Sequence, residues 1–439
     1  MKYRMTYRMI LSHIAAITAL AATGQTTDGG EWTFSRCVDY ARANNITLQQ
    51  SRLSEQTAAL SLEEAQGRWQ PTLDFTTRHT VGNTPWGEGD KTTYNGTAGL
   101  NAAWTAWDGG ARSAQIKRDR LGTQIAALET DEVMRTLETD MLRAYLNILY
   151  CKESIEIYRE AVKLSDAQAE RCRQLMEAGR VSRVDYAQLQ AQAEQQRYNL
   201  SNAIGTYDTR RMELKRLLEL GIDTDLTLAP VALTDAQVTD PLPPIEESYI
   251  MALDTDSRLK ALALQRDAAA LDTDIARAQG RPDISLTAGV GTNYFAPGTA
   301  LGTQLKQSVN EQIGLSLSIP ILDGKKTKTA VAKARVQQLN AALDEEARRT
   351  DIARDVEAAY IDLRATQSRF TAAMEQLESA RLSDELVNEQ FNLGLVNTVE
   401  LLTARNNLVE AQHTLLQARF MALLDRKLIE FYRTAQITL

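Results

Sequence analysis

The sequence predicts a mixed, mainly α fold built from a duplicated unit: a helix, a β-hairpin, a very long helix and a further helix. Three observations carry this. The chain matches itself at a nearly fixed offset. Two stretches, Ala111 to Ala178 and Lys325 to Leu393, hold helix-forming residues with hardly a break. Four short segments alternate apolar and polar residues.

The repeat comes first, because missing one misassigns the whole architecture. At an offset of 215, Asp108-Gly109 falls on Asp323-Gly324, Ala144-Tyr145-Leu146 on Ala359-Tyr360-Ile361, Gly179 on Gly394, Val184 on Val399 and Asp185 on Glu400. Upstream the offset is 211, with Pro71 on Pro282, Leu48 on Leu259 and Ala58-Ala59-Leu60 on Ala269-Ala270-Leu271. The slip belongs in an exposed hairpin loop, where insertions are tolerated.

In chain order, Lys2, Arg4 and Arg8 precede an apolar run from Met9 to Ala22, with a small-residue cleavage site at Ala22-Thr23-Gly24. Residues 1–24 therefore read as a signal peptide. No cysteine follows the run, so lipid attachment is not expected. Residues 25–220 form the first repeat, 221–244 a proline-marked linker expected to be non-helical, and 245–439 the second repeat. Each repeat opens with one predicted helix, Thr33 to Arg68 and Ile245 to Gly280. Strands are expected at about 72–80 and 94–105, then at about 284–294 and 311–319, where period two gathers apolar side chains on one face. The long helices would reach about 100 Å at about 1.5 Å per residue, so they need neighbours along their length. Glycine breaks at Gly179 and Gly394 turn the chain back into helices from Arg183 to Leu220 and from Thr398 to Arg433.

Composition narrows the function. The formal charge is −8, and loss of the leader's three cations takes it to −11, which argues against nucleic-acid partners. Cys37, Cys151 and Cys172 are too scattered for a metal site and read as buried thiols. No phosphate loop, H-E-x-x-H or nucleophile elbow occurs, so no catalytic residue, metal site or cofactor is expected.

No second apolar run approaches a spanning helix, so entry into a membrane must use strands. Segments of about 8–11 residues have the length of tilted membrane strands. Four strands cannot close a barrel, and an open edge in lipid leaves costly unpaired backbone groups, so several copies must share one barrel. The same alternation also fits a soluble sheet with one face on a core.

The order helix, hairpin, Trp107-Asp108-Gly109-Gly110, long helix, Gly179-Arg180-Val181-Ser182-Arg183-Val184-Asp185, helix resembles the TolC family of outer-membrane efflux proteins. The second half repeats it with Pro320-Ile321-Leu322-Asp323-Gly324 and Gly394-Leu395-Val396-Asn397-Thr398-Val399-Glu400. Neither motif is specific alone; their duplication beside matched hairpins is.

The resemblance implies a homotrimer in the outer membrane, with a shared twelve-stranded barrel continued by a long periplasmic α-helical barrel. It implies a channel of a tripartite export system, with a periplasmic adaptor and an inner-membrane transporter as partners beside outer-membrane lipid. By the same resemblance, Gly179, Arg180, Val181, Ser182, Gly394, Leu395, Val396 and Asn397 form adaptor-docking tips, and Asp185 and Glu400 line the pore constriction. Phe391, Val396 and Thr403 depart from the family's latch residues, leaving Asn388, Asn392 or Arg183 as open choices for a replacement. A pore-less periplasmic coiled-coil scaffold is the alternative, but it leaves the four amphipathic strands unexplained.

Overall fold

A computed structural model describes residues 31–83, 85–86, 92–231, 235–241, 243–296 and 301–439; the expected signal peptide lies outside the described residues. In chain order the elements are α1 (Phe34–Asn44), α2 (Ile46–Gly67), β1 (Thr72–Asn83), β2 (Thr92–Asp108), α3 (Ala111–Glu177), α4 (Arg183–Leu217) and α5 (Asp235–Thr239). Then come α6 (Ile245–Thr255), α7 (Ser257–Ala278), β3 (Asp283–Ala296), α8 (Leu301–Gln307), β4 (Asn310–Ser318), α9 (Lys326–Asn392) and α10 (Thr398–Thr434).

Two expectations need correction. Each repeat's first helix is broken, at Asn45 and at Asp256. Both residues are extended, and their side chains accept from the backbone N–H three residues on, that of Leu48 at 3.1 Å and of Leu259 at 2.6 Å. These are N-caps, and the new helix starts in each case from a carboxamide or carboxylate that satisfies an orphan donor. The linker also contains a short helix, α5, because Asp235 opens a turn that packs on α10.

The two long helices are each 67 residues. Both start from the Asp-Gly motif. Asp108 accepts from the Arg112 N–H at 2.8 Å, and Asp323 accepts from the Thr327 N–H at 2.8 Å. A carboxylate at the helix N-terminus is favoured by the free donors there, and hydrogen bonding from the Thr327 side chain, then from its backbone N–H, holds the Asp323 carboxyl below its ordinary range.

The four strands form one antiparallel sheet in the order β1-β2-β3-β4. At 12, 17, 14 and 9 residues, three of the strands outrun the predicted 8–11-residue segments. The helices next to the strands pack in the same order, α2 on α3, α3 on α7 and α7 on α9. Beyond the strands α4 packs on α3, α3 on α10 and α10 on α9, and nearest the hairpin turns α4 also meets α10.

The main core lies where the two regimes meet. Met141, Leu142, Tyr145, Leu146, Leu214 and Phe420 are buried in it together with Cys37, and Cys151 and Cys172 are also buried free thiols. Tyr145 and its repeat mate Tyr360 do the same work: the Tyr145 hydroxyl lies 3.0 Å from the carbonyls of both Trp32 and Ala229, and Tyr360 donates to the Pro243 carbonyl at 2.9 Å. Each phenol ties an extended segment to a long helix while satisfying its own buried hydroxyl.

Strand β3 continues past the end of β4, and its exposed edge there is covered by side chains of α8 and of Ser308 in the turn that follows it. Gln304 accepts from the Phe295 N–H at 2.8 Å and donates to the Phe295 carbonyl at 3.0 Å. Ser308 accepts from the Asn293 N–H at 3.1 Å and donates to the Asn293 carbonyl at 2.5 Å. A helical i, i+4 pair spans about 6 Å, close to the two-residue repeat of a strand, so the pair stands in for a missing strand.

Candidate functional site

Two regions hold the residues singled out above. The first is the sheet. In register, Leu73, Ala102, Ala288 and Ile313 form one row, and Phe75, Leu100 and Val290, with Glu311 at the β4 end, the next, all on one face. Trp104, Leu286 and Leu315 form a third row. The opposite face carries Asp74, Asn101, Gly289 and Gln312 in one row and Thr105, Ser285 and Ser316 in another. Leu73, Phe75, Ile313 and Leu315 are between 67% and 84% exposed, so among the described residues nothing packs over this part of the apolar face. A soluble sheet packed on a core would bury these side chains.

Aromatic side chains bound this face at both ends. A bulge between Thr105 and Trp107 returns Trp107 to the face of Trp104, although the two are an odd number of residues apart. The Trp104 indole N–H donates to the Trp69 carbonyl at 2.9 Å, and the Arg112 guanidinium lies 4.2 Å from the Trp69 ring centre. At the other end Tyr94 and Tyr294 place their hydroxyls 2.9 Å apart and each 3.0 Å from His79 Nδ1. Gly96 makes room for this cluster, since a Cβ there would lie 2.1 Å from the Tyr294 ring. Between Tyr94 and Trp104 a strand tilted by about 40° rises roughly 25 Å, the height of the apolar band of a membrane barrel.

The second region is the pair of hairpin turns. Gly179 and Gly394 have φ of +72° and +74°, a conformation that disfavours any side chain. Arg180 N–H donates to the Leu175 carbonyl and Leu395 N–H to the Gln390 carbonyl, both at 2.9 Å, which closes each long helix in the same left-handed cap. Three residues beyond each glycine a new N-cap begins. Ser182 and Asp185 form a reciprocal capping box, and Asn397 exchanges bonds of 2.9 Å with Glu400. Gly179-Arg180-Val181-Ser182 and Gly394-Leu395-Val396-Asn397 thus share the same left-handed stop and are restarted by N-caps of different chemistry. Val181 and Val396 are half-buried, and the remaining tip residues are exposed.

Asp185 has a second role. Its other oxygen accepts from the Thr398 hydroxyl at 2.7 Å, joining α4 of the first repeat to α10 of the second. Hydrogen bonds from Ser182 and then from Thr398 hold its carboxyl below the ordinary range. Seven residues further along, Gln192 donates to Asn406 at 2.6 Å across the same seam. Asn388, Asn392 and Arg183, the partners considered from sequence, make no such bond among the described residues, and the hydrogen bonds of Glu400 stay within its own turn. Thr398 was missed because only the approach of two distant helices brings it to Asp185. Within the second hairpin, Arg405 and Asp384 form a buried ion pair of 3.0 Å. Burial raises the Asp384 carboxyl and lowers the Arg405 guanidinium. The equivalent first-repeat positions are Gln190 and Ala169, so this pair has no counterpart there; the first hairpin instead carries the exposed pair Arg197–Asp166 at 2.9 Å.

Comparison with known proteins agrees with this geometry. Protein CyaE of Bordetella pertussis is 25% identical over 400 residues, covering 88% of this chain and 82% of CyaE. Outer membrane efflux protein BepC of Brucella suis is 23% identical over 409 residues, covering 92% of this chain and 84% of BepC. A solved structure of CusC superposes with a TM-score of 0.78 at 19% identity, covering 91% of each chain. That of VceC from Vibrio cholerae gives 0.76 at 17% identity, covering 91% of this chain and 96% of VceC. The sequence profile of the family described as outer membrane efflux protein matches residues 37–219 and 249–425, one segment in each repeat. With both repeats matched and the fold shared, this chain belongs to the outer membrane efflux protein family.

Proposed function

We propose that three copies of this chain form the outer-membrane channel of a tripartite export system, passing cargo from an inner-membrane pump through the periplasm to the outside. The observation that carries the oligomeric reading is that the sheet and the helices adjoining it form an open layer with two unpartnered edges among the described residues. In the sheet the edges are β1 and β4; in the adjoining helices they are α2 and α9. The edge helices expose complementary apolar stripes at seam spacing. Ile46, Leu53 and Leu60 on α2 are 53–60% exposed, and Val336, Leu339 and Leu343 on α9 are 56–67% exposed. A heptad spacing on one edge and a three-four spacing on the other are what long helices use to pack side by side. β1 and β4 run in opposite directions, so β4 of one copy can continue the antiparallel ladder onto β1 of the next. Three copies close twelve strands with no edge left in lipid.

In this reading the apolar face of the sheet meets outer-membrane lipid and the small polar face lines the pore. The hairpin turns form the far tips, which meet a periplasmic adaptor, and Asp185 and Glu400 line the narrow end. The chain carries no nucleotide-binding motif, so the driving energy comes from the pump. The test is native mass spectrometry of the detergent-extracted protein together with planar-bilayer recording. A three-chain particle that conducts is expected; a single chain that inserts no conductance rules the reading out.

A further inference from the structure

The two hairpin tips share one backbone geometry and differ in chemistry. Within eight residues of Gly179 the chain carries Arg171, Arg173, Arg180 and Arg183 against only Glu177 and Asp185. Within eight residues of Gly394 it carries Glu389 and Glu400 and no Lys or Arg. Arg173 is neutralised locally, bridging Glu170 at 2.8 Å and Glu177 at 2.6 Å. Arg171, Arg180 and Arg183 are exposed and have no ion-pair partner among the described residues. At the repeat offset their counterparts are Leu386, Leu395 and Thr398. Leu386 is 49% exposed and Leu395 is 71% exposed. The same places on the two tips are therefore cationic in one repeat and largely apolar in the other.

We infer that the first-repeat tip docks a protein partner through an acidic surface, with Arg171, Arg180 and Arg183 reading its carboxylates, while the second-repeat tip supplies the apolar anchor. This rests on the channel reading above, which places both tips at the same end. Closure of three copies alternates the two tips around one ring, so the charge alternates with them. A bilayer surface of uniform negative charge does not match that alternation, because every second tip would bring Glu389 and Glu400 towards it. A discrete protein can match it, presenting carboxylates to one tip and apolar residues to the next. Guanidinium groups suit this role, since their planar donors engage carboxylates in pairs. An exposed rim of this kind contributes mainly to partner choice and association rate, and it weakens with salt.

The test uses the full-length channel in detergent and three probes: a helical-hairpin peptide with a glutamate-rich tip, the same peptide with glutamine in place of glutamate, and phosphatidylglycerol vesicles. The glutamate peptide is expected to bind the wild-type channel about tenfold more tightly than the glutamine peptide at low salt, with the preference lost at about 0.5 M salt. The triple variant Arg171→Gln, Arg180→Gln, Arg183→Gln should bind both peptides equally. No preference in the wild type, or a preference that survives in the triple variant, overturns the inference. Arginine-dependent capture of the vesicles without capture of the glutamate peptide replaces it with a membrane contact. Bilayer conductance of the same wild-type preparation tests the channel reading separately, so the two can fail independently.

Discussion

The Thr398 hydroxyl donates to Asp185 across 2.7 Å, and with this bond the second repeat's tip is fastened to the first. Thr398 is buried and sits one residue after its own N-cap, so its hydroxyl is aimed by the cap geometry. A hydrogen bond to an ionised group contributes about 1.5–3 kcal/mol when well protected, and about 1 kcal/mol is reasonable beside solvent. Removing it should raise closed-state leak about fivefold in Thr398→Ala, whereas Thr398→Ser should behave as wild type. Single-channel open probability measures this, and an unaltered Thr398→Ala channel would remove Asp185–Thr398 as a latch.

The pH response has a defined sign. The Asp185 carboxyl is depressed in the folded chain, by Ser182 first and Thr398 second. Its contribution is therefore fully present above the ordinary aspartate value of 3.8 and is lost as pH falls through the lower folded value. Leak should stay constant from neutral pH down to about pH 5 and rise only in stronger acid. A rise centred near neutral pH would show that some other group holds the tips together.

In the proposed trimer, three copies each of Asp185 and Glu400 surround one axis, and charge selectivity tests that placement. Carboxylate rings in a narrow opening favour cations. The wild-type channel should be cation-selective, and Asp185→Asn with Glu400→Gln should weaken that preference. The reversal potential in a salt gradient decides the matter; no change on double substitution means that these residues stand back from the constriction.

Within the sheet, Leu315 lies opposite Leu286 on the apolar face, and Ser316 lies opposite Ser285 on the polar one. An arginine at mid-depth on the lipid face costs roughly 2–4 kcal/mol, incurred once per copy. Leu315→Arg should abolish assembled trimer in outer membranes, and Ser316→Arg should leave it near normal. Heat-modifiable trimer on gels reports both, and equal levels would mean that the faces are assigned the wrong way round.

The long helices were legible almost to the residue, Ala111–Glu177 and Lys326–Asn392 against expected spans ending at Ala178 and beginning at Lys325, because their signals are local. An Asp-Gly start and a glycine stop both act within one turn. The breaks at Asn45 and Asp256 are equally local but were hidden by helix-forming residues on both sides. The alternation located the strands, yet the bulge before Trp107 shifts the period and so concealed that both tryptophans share a face. At the tips the caps could be anticipated from Gly179, Ser182, Gly394 and Asn397. The Thr398 and Asn406 contacts could not, since they depend on how two helices far apart in sequence approach each other.

The covering of β3 by Gln304 and Ser308 gives the sheet a direction of growth. Beyond the end of β4 the β3 edge offers no free template, so a foreign strand arriving there finds its donors and acceptors already taken. Recruitment is left to β1 and β4 alone. In the proposed trimer each copy then adds to its neighbour through these two strands, β4 of one against β1 of the next.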